Sequence, residues 1–313
     1  MTPALRPSPR TAQALADRLL TDPGEVRPVD EGGEHATWWV GAGHVLRLAP
    51  DAAASARQRR EIALRDALRP RLAVPVPGSA ASGEWADGLA YTLDVRLPGV
   101  SAEHRRVSPA GERDLARLLG ALREFTPGRA EALGVPAAPP RHLAALRGGA
   151  VRAARTLEAD GAFDGRLLGL LEPDPRAHAS DPPPYASEVT GTKNPAHAPP
   201  AVLAHHDLKG EHLLTDEAGR VSGVLDWTDA VLGDPAEDIA GLALSLGAPA
   251  AARVADGAGH TQERCARGLQ LARCDTLIRL ADRLHGIDDS PLPLLRAQAR
   301  RAWEGTPLDR AVS

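Results

Sequence analysis

The chain has 313 residues, of which 43% are hydrophobic and 25% are charged; this is enough apolar material for a folded core and excludes wholesale disorder. Its 37 basic residues against 41 acidic ones give a net charge of −4, which argues against the basic excess typical of nucleic-acid-binding proteins. The length favours about two domains or lobes. Only Lys193 and Lys209 are lysines, so any chemistry that needs a lysine amine must take it from one of two places.

Cysteines, termini and apolar runs indicate no secretion or membrane insertion. Cys265 and Cys274 are the only cysteines, and their spacing forms neither a metal-binding motif nor a disulfide framework. We expect buried or half-buried thiols. The first residues, Met1 to Arg10, lack the apolar run of a secretory signal. The best membrane candidate, Ile239 to Ala252, is too short and is interrupted by glycine and proline. We therefore expect a cytoplasmic protein with no membrane or nucleic-acid partner.

The N-terminal third predicts a mixture of helices and short strands. Apolar periodicity and turn residues, including a Gly-Ala-Gly turn between the first two strands, set the boundaries. A glycine pair, Gly32-Gly33, precedes the first strand as a candidate loop, and Leu97-Pro98-Gly99 reads as a turn or hinge. The predicted elements are helices at Thr11 to Leu20 and Ser55 to Leu68 and strands at Trp38 to Val40, His44 to Leu48 and Leu89 to Val95.

Helices dominate the remainder of the chain. Ser108-Pro109 is a helix start, and His142 to Glu158 and Gly165 to Leu171 also predict helix. The Pro-rich stretch Glu172 to Pro200 predicts a long, flexible insertion. A short apolar strand, Val202 to Ala204, follows it, and His212 to Thr215 with Val221 to Asp226 predicts a hairpin.

The segment Ala204 to His212, which reads AHHDLKGEH, carries the chemistry together with Asp226. A buried strand would deliver Asp207 into a loop that returns as a strand at His212. The paired strand would end at Asp226, so the three side chains are expected to meet at one end of a small sheet. Two carboxylates and an imidazole can hold a divalent metal and present a base beside it. His205 is expected to orient this loop through a bond to the backbone.

The pattern H-x-D-x-x-x-x-H, followed by Asp226-Trp227-Thr228 and by Gly233-Asp234-Pro235 with Asp238, resembles the aminoglycoside phosphotransferase family of small-molecule kinases. The signature of that family runs H-G-D-x-x-x-x-N, then D-W, then G-D-P-x-x-D. The histidine in the asparagine position and the D-W-T run are most similar to the macrolide phosphotransferase branch. The match covers roughly Val202 to Gly241. Asp234 and Asp238 are expected to stabilise loops and helix starts.

The resemblance implies an α+β, bilobal, protein-kinase-like fold. A small β-rich N-lobe at residues 1–98 would bind nucleotide, and a larger, mainly helical C-lobe at residues 99–313 would hold the catalytic loop and substrate pocket. In the C-lobe it implies Asp207 as the catalytic proton acceptor and His212 and Asp226 as ligands of Mg²⁺. Lys209 would contact the γ-phosphate as a catalytic residue or be solvated.

In the N-lobe, the resemblance implies that Arg47 fills the place of the phosphate-binding lysine and that Glu61 is its partner. Arginine is always charged and can chelate phosphate, so the electrostatic role survives the replacement. Neighbouring arginines on the predicted helix offer Glu61 alternative local pairs. The backbone near Val95 and Leu97 would face the base of ATP or GTP.

The function that follows is transfer of the γ-phosphate of ATP or GTP to a hydroxyl of a small molecule. The acceptor would be an antibiotic such as a macrolide or aminoglycoside, or a related amino alcohol or sugar. Two alternatives stay open. A non-catalytic nucleotide-binding module is suggested by Arg47 and His212, which depart from the usual residues. A metal-dependent phosphohydrolase is suggested by the metal-ligand types at His205, His206, Asp207, His212 and Asp226. The sequence decides neither the acceptor nor the oligomeric state.

Overall fold

The structure is a computed structural model that describes residues 7–29, 36–159, 165–171 and 201–312. The candidate glycine loop at Gly32-Gly33 and the Pro-rich stretch Glu172 to Pro200 lie outside these ranges. Within them, the chain forms a β-sheet region followed by a helical region, which confirms the predicted α+β class.

An antiparallel five-stranded sheet in the order β1-β2-β3-β5-β4 forms the N-terminal region. Because side chains alternate along a strand, Leu46 and Leu48 pack in the cluster that includes helix α1, whereas Arg47 points to helix α2. The elements are α1 (Pro9–Leu19), β1 (Val26–Pro28), β2 (Ala36–Val40), β3 (His44–Leu48), α2 (Ala52–Leu68), β4 (Ser79–Ala86) and β5 (Leu89–Val95).

Both helices of this region begin earlier than predicted, because each has a capping side chain just before it. The Ser8 hydroxyl accepts from the Thr11 N–H at 3.1 Å, and α1 starts at Pro9. The Asp51 carboxylate accepts from the Ala54 N–H at 2.7 Å, and α2 starts at Ala52. Each cap satisfies an N–H that has no partner within the helix.

The C-terminal region is helical, with two small sheets set into it: β6-β8-β9 and β7-β10. The long helix α8 packs against α5, α6, α7 and α9 and forms the centre of the core. The elements are β6 (Val100–Ser101), α3 (Pro109–Glu124), α4 (Pro127–Ala132), α5 (Leu143–Ala159), β7 (Val202–Ala204), β8 (Leu213–Thr215), β9 (Val221–Val224), β10 (Val231–Gly233), α6 (Ala236–Leu246), α7 (Ala248–Gly257), α8 (Gln262–Leu284) and α9 (Leu292–Ala302).

The predicted hairpin is shorter than expected at both ends. His212 lies in a 3-10 turn, Gly210–His212, and β8 begins after it. Asp226 has left β9 and adopts a positive φ of 53°. Both side chains therefore extend from irregular backbone rather than from strands. The predicted helix at Gly165 to Leu171 is a 3-10 helix.

Cys265 and Cys274 are free and buried on α8, as predicted. Burial raises the pKa of Cys265 to about 11 and that of Cys274 to about 12, so both are protonated thiols at neutral pH. Within the described ranges, no helix combines the length and hydropathy required to cross a bilayer. The lobe boundary between residues 98 and 99 stays a prediction.

Candidate active site

Helix α6 fixes the loop that carries Asp207 through a carboxylate beneath it. The two oxygens of Asp238 accept the His205 N–H at 2.9 Å and the His206 N–H at 2.7 Å. His206 has a φ of 70°, a left-handed conformation that costs a non-glycine residue about 1–2 kcal/mol. Burial raises the pKa of Asp238 to about 7, although both N–H donors favour its ionised form. Asp238 thus has the structural role expected of it.

Two further α6 residues on the same face as Asp238 approach this loop. At Gly241, a Cβ atom would lie 2.5 Å from the carbonyl oxygen of Leu208, so only glycine permits the contact. The hydroxyl of Ser245 accepts from the Gly210 N–H at 2.6 Å. Residues three and four apart share a helix face, so the spacing of these three residues turns one side of α6 into a platform for the loop.

His205 orients the loop from inside the core. Burial, with a smaller contribution from His212, lowers its pKa to about 4, so the ring is neutral at physiological pH. Its Nδ1 accepts the Asp207 N–H at 3.3 Å, and its Nε2 lies 2.9 Å from the Leu225 carbonyl oxygen. A carbonyl oxygen only accepts hydrogen bonds, so the proton lies on Nε2. The Trp227 ring packs edge-on against the His205 ring, with 4.7 Å between the ring centroids. This contact fixes the orientation of the imidazole.

Asp207, Lys209, His212 and Asp226 converge in one cleft. Lys209 Nζ lies 2.5 Å from Asp207 Oδ1, so this lysine pairs with the carboxylate rather than pointing into solvent. The Asp207 carbonyl oxygen lies 2.8 Å from His212 Nδ1, which must therefore donate. In the neutral imidazole the lone pair is then on Nε2, which lies 4.0 Å from Asp226 Oδ2. The predicted grouping of Asp207, His212 and Asp226 is present in the structure.

Arg47 faces this cleft from the sheet and is held by two side chains. Its NH1 donates to both oxygens of Glu61 at 3.0 and 2.8 Å, and its NH2 donates to the Thr228 hydroxyl at 3.3 Å. The same hydroxyl donates to Glu61 at 3.0 Å, which closes a triangle of three side chains. Burial opposes ionisation of Asp226, but Arg47, His212 and the bonds from Thr228 lower its pKa below the ordinary value.

Behind Arg47 lies a second buried ion pair. Arg65 donates to the two oxygens of Asp94 at 3.1 and 3.0 Å, and its side chain is only 2% exposed. Arg65 also lies 3.7 Å from Glu61, and Asp94 lies 4.0 Å from Arg47. The two arginines and two carboxylates balance in charge, which offsets the cost of removing each from water.

Val95 and Leu97, the two positions predicted to contact the nucleotide base, differ in exposure and in the contacts they make. The Val95 N–H donates to the Gly78 carbonyl oxygen at 2.7 Å, so it is already committed, although the residue is 45% exposed. Leu97 is half-buried against β9: a Cβ at Gly223 would lie 2.7 Å from Leu97 Cδ1. A base contact at Val95 would therefore use its carbonyl or its side chain rather than its N–H.

The donor set fits a hard divalent cation such as Mg²⁺. Among the described residues, Asp207, Glu211 and His212 offer ligand atoms that lie within 4.8 Å of one another, and Asp226 faces the free nitrogen of His212. Carboxylate oxygens are the ligands that Mg²⁺ prefers, and an imidazole nitrogen is a softer ligand that can also bind a divalent metal. Sequence analysis missed Glu211, whose one signal was its place next to His212.

A cavity of about 260 Å³ opens beside Asp207 on the side facing α6 and α8. Sequence analysis missed the residues that give it charge, Arg141, Glu237 and Asp275, because they are far apart in the chain and belong to no motif. Its lining consists of Arg141, His206, Asp207, Leu208, Lys209, Glu237, Ala240, Gly241, Leu244 and Asp275.

Known proteins resemble this chain in sequence and in fold. A family model described as the phosphotransferase enzyme family matches residues 25–272. The viomycin phosphotransferase of Streptomyces vinaceus is 27% identical over 188 residues, which cover 58% of this chain and 58% of that protein. The chain thus matches just over half the length of this curated relative.

Solved structures with low sequence identity share the fold. The GDP and kanamycin complex of APH(2")-IIia has a TM-score of 0.61 at 18% identity, covering 96% of this chain and 98% of that one. Macrolide 2'-phosphotransferase MphH from Brachybacterium faecium, an apoenzyme, has a TM-score of 0.56 at 21% identity, covering 94% and 99%. The predicted kinase-like fold is confirmed. Since the family model spans well over half of the sequence, the chain belongs to the phosphotransferase enzyme family.

Proposed function

We propose that this chain transfers the γ-phosphate of ATP or GTP to a hydroxyl group of a small molecule. The acceptor is a macrolide or aminoglycoside antibiotic, or a related amino alcohol or sugar. The observation that carries the proposal is the position of the Asp207 carboxylate. It lies between the cavity of about 260 Å³ and the His212–Asp226 pair, where an acceptor on one side can meet a phosphate on the other.

The chain's own residues account for the proton and the geometry. An acceptor hydroxyl in the cavity attacks the γ-phosphorus, its proton passes to Asp207, and the bond from that phosphorus to the leaving nucleoside diphosphate oxygen breaks. The loop bonds from His205 and Asp238 hold Asp207 in place. Lys209, paired with Asp207 at 2.5 Å, stabilises the carboxylate until the hydroxyl arrives and then lies within reach of the transferring phosphate.

Charge compensation comes from both sides of the cleft. Bound Mg²⁺ would neutralise phosphate charge, with His212 and Asp226 as its ligands. Arg47 supplies a permanent cation whose fork matches phosphate oxygens, and Glu61 keeps it in position. Most of the rate acceleration in phosphoryl transfer comes from such positioning and charge stabilisation. In this proposal residues 1–98 are the nucleotide-binding lobe and residues 99–313 the acceptor lobe, with the base near Val95 and Leu97.

The test is radiolabelled γ-phosphate transfer from ATP and from GTP to a panel of macrolides, aminoglycosides, amino alcohols and sugars. We expect Asp207→Asn to lower kcat by roughly 10²- to 10⁴-fold. Asp66→Asn is the matched control, because its carboxylate is 56% exposed in a surface pair with Arg69, and it should keep the wild-type rate. Transfer by Asp207→Asn at a rate close to that of the wild type would refute the assignment.

The same assay separates the two alternatives. A non-catalytic module would bind nucleotide, seen as a thermal shift, without transfer to any acceptor. A phosphohydrolase would cleave phosphodiesters in the absence of nucleotide.

A further inference from the structure

The cavity beside Asp207 contains an arginine that is fully paired within the protein. Arg141 donates from Nε and NH2 to the two oxygens of Glu237 at 2.9 and 2.7 Å. It also donates from NH1 and NH2 to the two oxygens of Asp275 at 2.8 and 3.0 Å. The guanidinium therefore binds two carboxylates, each in a bidentate pair along one of its edges. Bidentate pairs of arginine with a carboxylate are among the strong charge-assisted hydrogen bonds.

The backbone of Arg141 is fixed as firmly as its side chain. Arg267 donates to the Arg141 carbonyl oxygen at 2.6 Å and to Asp234 at 2.5 Å. Asp234 in turn accepts the Ala236 N–H at the start of α6 at 3.0 Å. Three bonded groups thus hold Arg141 where α6 and α8 meet, so its position is built into the fold and does not depend on one flexible pair.

Arg141 changes the charge that an acceptor meets. The cavity lining carries three carboxylates, on Asp207, Glu237 and Asp275, against two cations, on Arg141 and Lys209. Although burial opposes it, Glu237 and Asp275 raise the pKa of Arg141, so its charge is permanent. Glu237 and Asp275 have side chains only 10% and 23% exposed. Each of these carboxylates already accepts two hydrogen bonds from the guanidinium.

We propose that Arg141 is a specificity-determining residue: it occupies the carboxylates that would otherwise bind acceptor ammonium groups, so the cavity selects acceptors with at most one positive charge. This inference rests on the proposed phosphotransferase function. To reach Glu237 and Asp275, a polycationic acceptor would have to displace the guanidinium that both carboxylates bind. A monocationic acceptor instead meets a cavity whose lining has three carboxylates and two cations, a net charge of −1 that matches its single positive charge. Among the proposed acceptors, a macrolide with one amine fits this rule and an aminoglycoside with several does not.

The test is equilibrium binding by calorimetry, without nucleotide, of one polycationic aminoglycoside and one macrolide at low salt. We expect the wild type to prefer the macrolide. Arg141→Gln should bind the aminoglycoside at least about tenfold more tightly than the wild type, since two carboxylates are released, and added salt should weaken that gain. Arg141→Lys keeps the charge but loses the fork, and it should show a smaller gain. Arg253→Gln, which breaks a bidentate pair with Glu112 on the surface, should behave as the wild type.

The outcomes separate this inference from the function on which it rests. Failure of both Arg141 variants to gain aminoglycoside affinity, including undetectable binding, overturns it, as does a wild type that prefers the aminoglycoside. If circular dichroism shows that Arg141→Gln is not folded, the aminoglycoside affinity of Arg141→Lys relative to the wild type decides whether the inference stands. Binding is measured without nucleotide, so a protein with the expected selectivity and no phosphate transfer would refute the proposed function and leave the role of Arg141 intact.

Discussion

Acidification should weaken the fold through His205, and the loss can be worked out from the structure. The folded protein holds this ring neutral, with a pKa of about 4 against an ordinary 6.5. Between those two values the unfolded chain binds a proton that the folded chain does not, so stability falls as pH falls. In this window the free energy of unfolding falls by about 1.36 kcal/mol for each unit by which the pH is lowered. The contribution is therefore a loss of about 2 kcal/mol by pH 5 and about 3 kcal/mol by pH 4.

The loss is isolated by comparing the wild type with His205→Gln in urea denaturation at several pH values. At pH 7.5 the variant should be less stable by about 1–3 kcal/mol, because the Asp207 N–H loses its acceptor in the core. That gap should close by about 2 kcal/mol at pH 5, since only the wild type has the buried imidazole. Asp238, whose raised pKa of about 7 gives stability of the opposite sign, is present in both proteins and cancels in the comparison.

A control variant keeps the comparison specific. His285 lies exposed at the end of α8, and His285→Gln removes a histidine without touching the loop that carries Asp207. It should therefore follow the wild-type acid response. A stability gap between wild type and His205→Gln that stays constant from pH 7.5 to pH 5 would refute the argument that this ring is neutral because it is buried.

Substitutions at three further positions test how the two sides of the cleft are held. Arg47→Lys should retain equal or better turnover, whereas Arg47→Ala should raise the nucleotide KM on the order of tenfold or more; unchanged steady-state kinetics in the alanine variant would exclude a phosphate-binding role. Thr228→Val should lose about 1–3 kcal/mol in urea denaturation because Glu61 and Arg47 lose a shared hydroxyl, and Thr228→Ser should restore it. Asp238→Ala should cost about 2–5 kcal/mol and lower kcat, since two loop N–H groups lose their acceptor; a stable variant with normal kcat would contradict this.

Local sequence pattern was sufficient to predict which side chains of the Asp207 loop lie together. Asp207 follows β7, and His212 and Asp226 flank the paired strands β8 and β9, so short-range spacing accounts for much of which side chains meet. The orienting role of His205 followed from the same logic. The support beneath the loop was less visible, because Asp238 contacts it from a helix that begins 24 residues after the loop ends. Sequence showed that Asp238 was part of a motif but not which N–H groups it would satisfy.

The inner face of α2 shows why the rest could not be predicted. Its buried positions include Ser55, Gln58, Glu61 and Arg65, so the helix has no apolar stripe and reads as a surface helix. These polar side chains are tolerated in the interior because partners on the sheet satisfy them: Gln58 donates to Thr92 at 3.0 Å and Arg65 pairs with Asp94. Such pairings join residues far apart in the chain, and periodicity along one helix cannot supply them.

The replacement of lysine by arginine at position 47 is accommodated by residues on both sides of the cleft. A lysine ammonium is a compact charge that one carboxylate can hold, whereas a guanidinium presents a planar fork whose further N–H groups can reach a second acceptor. Glu61 takes NH1 with both oxygens, and the Thr228 hydroxyl accepts from NH2. Thr228 directly follows the Asp226-Trp227 pair of the proposed metal-binding segment, and its N–H lies 3.4 Å from Asp226 Oδ1. The longer side chain therefore links the sheet to the segment that carries Asp226, a connection that a lysine ammonium paired only with Glu61 would not make.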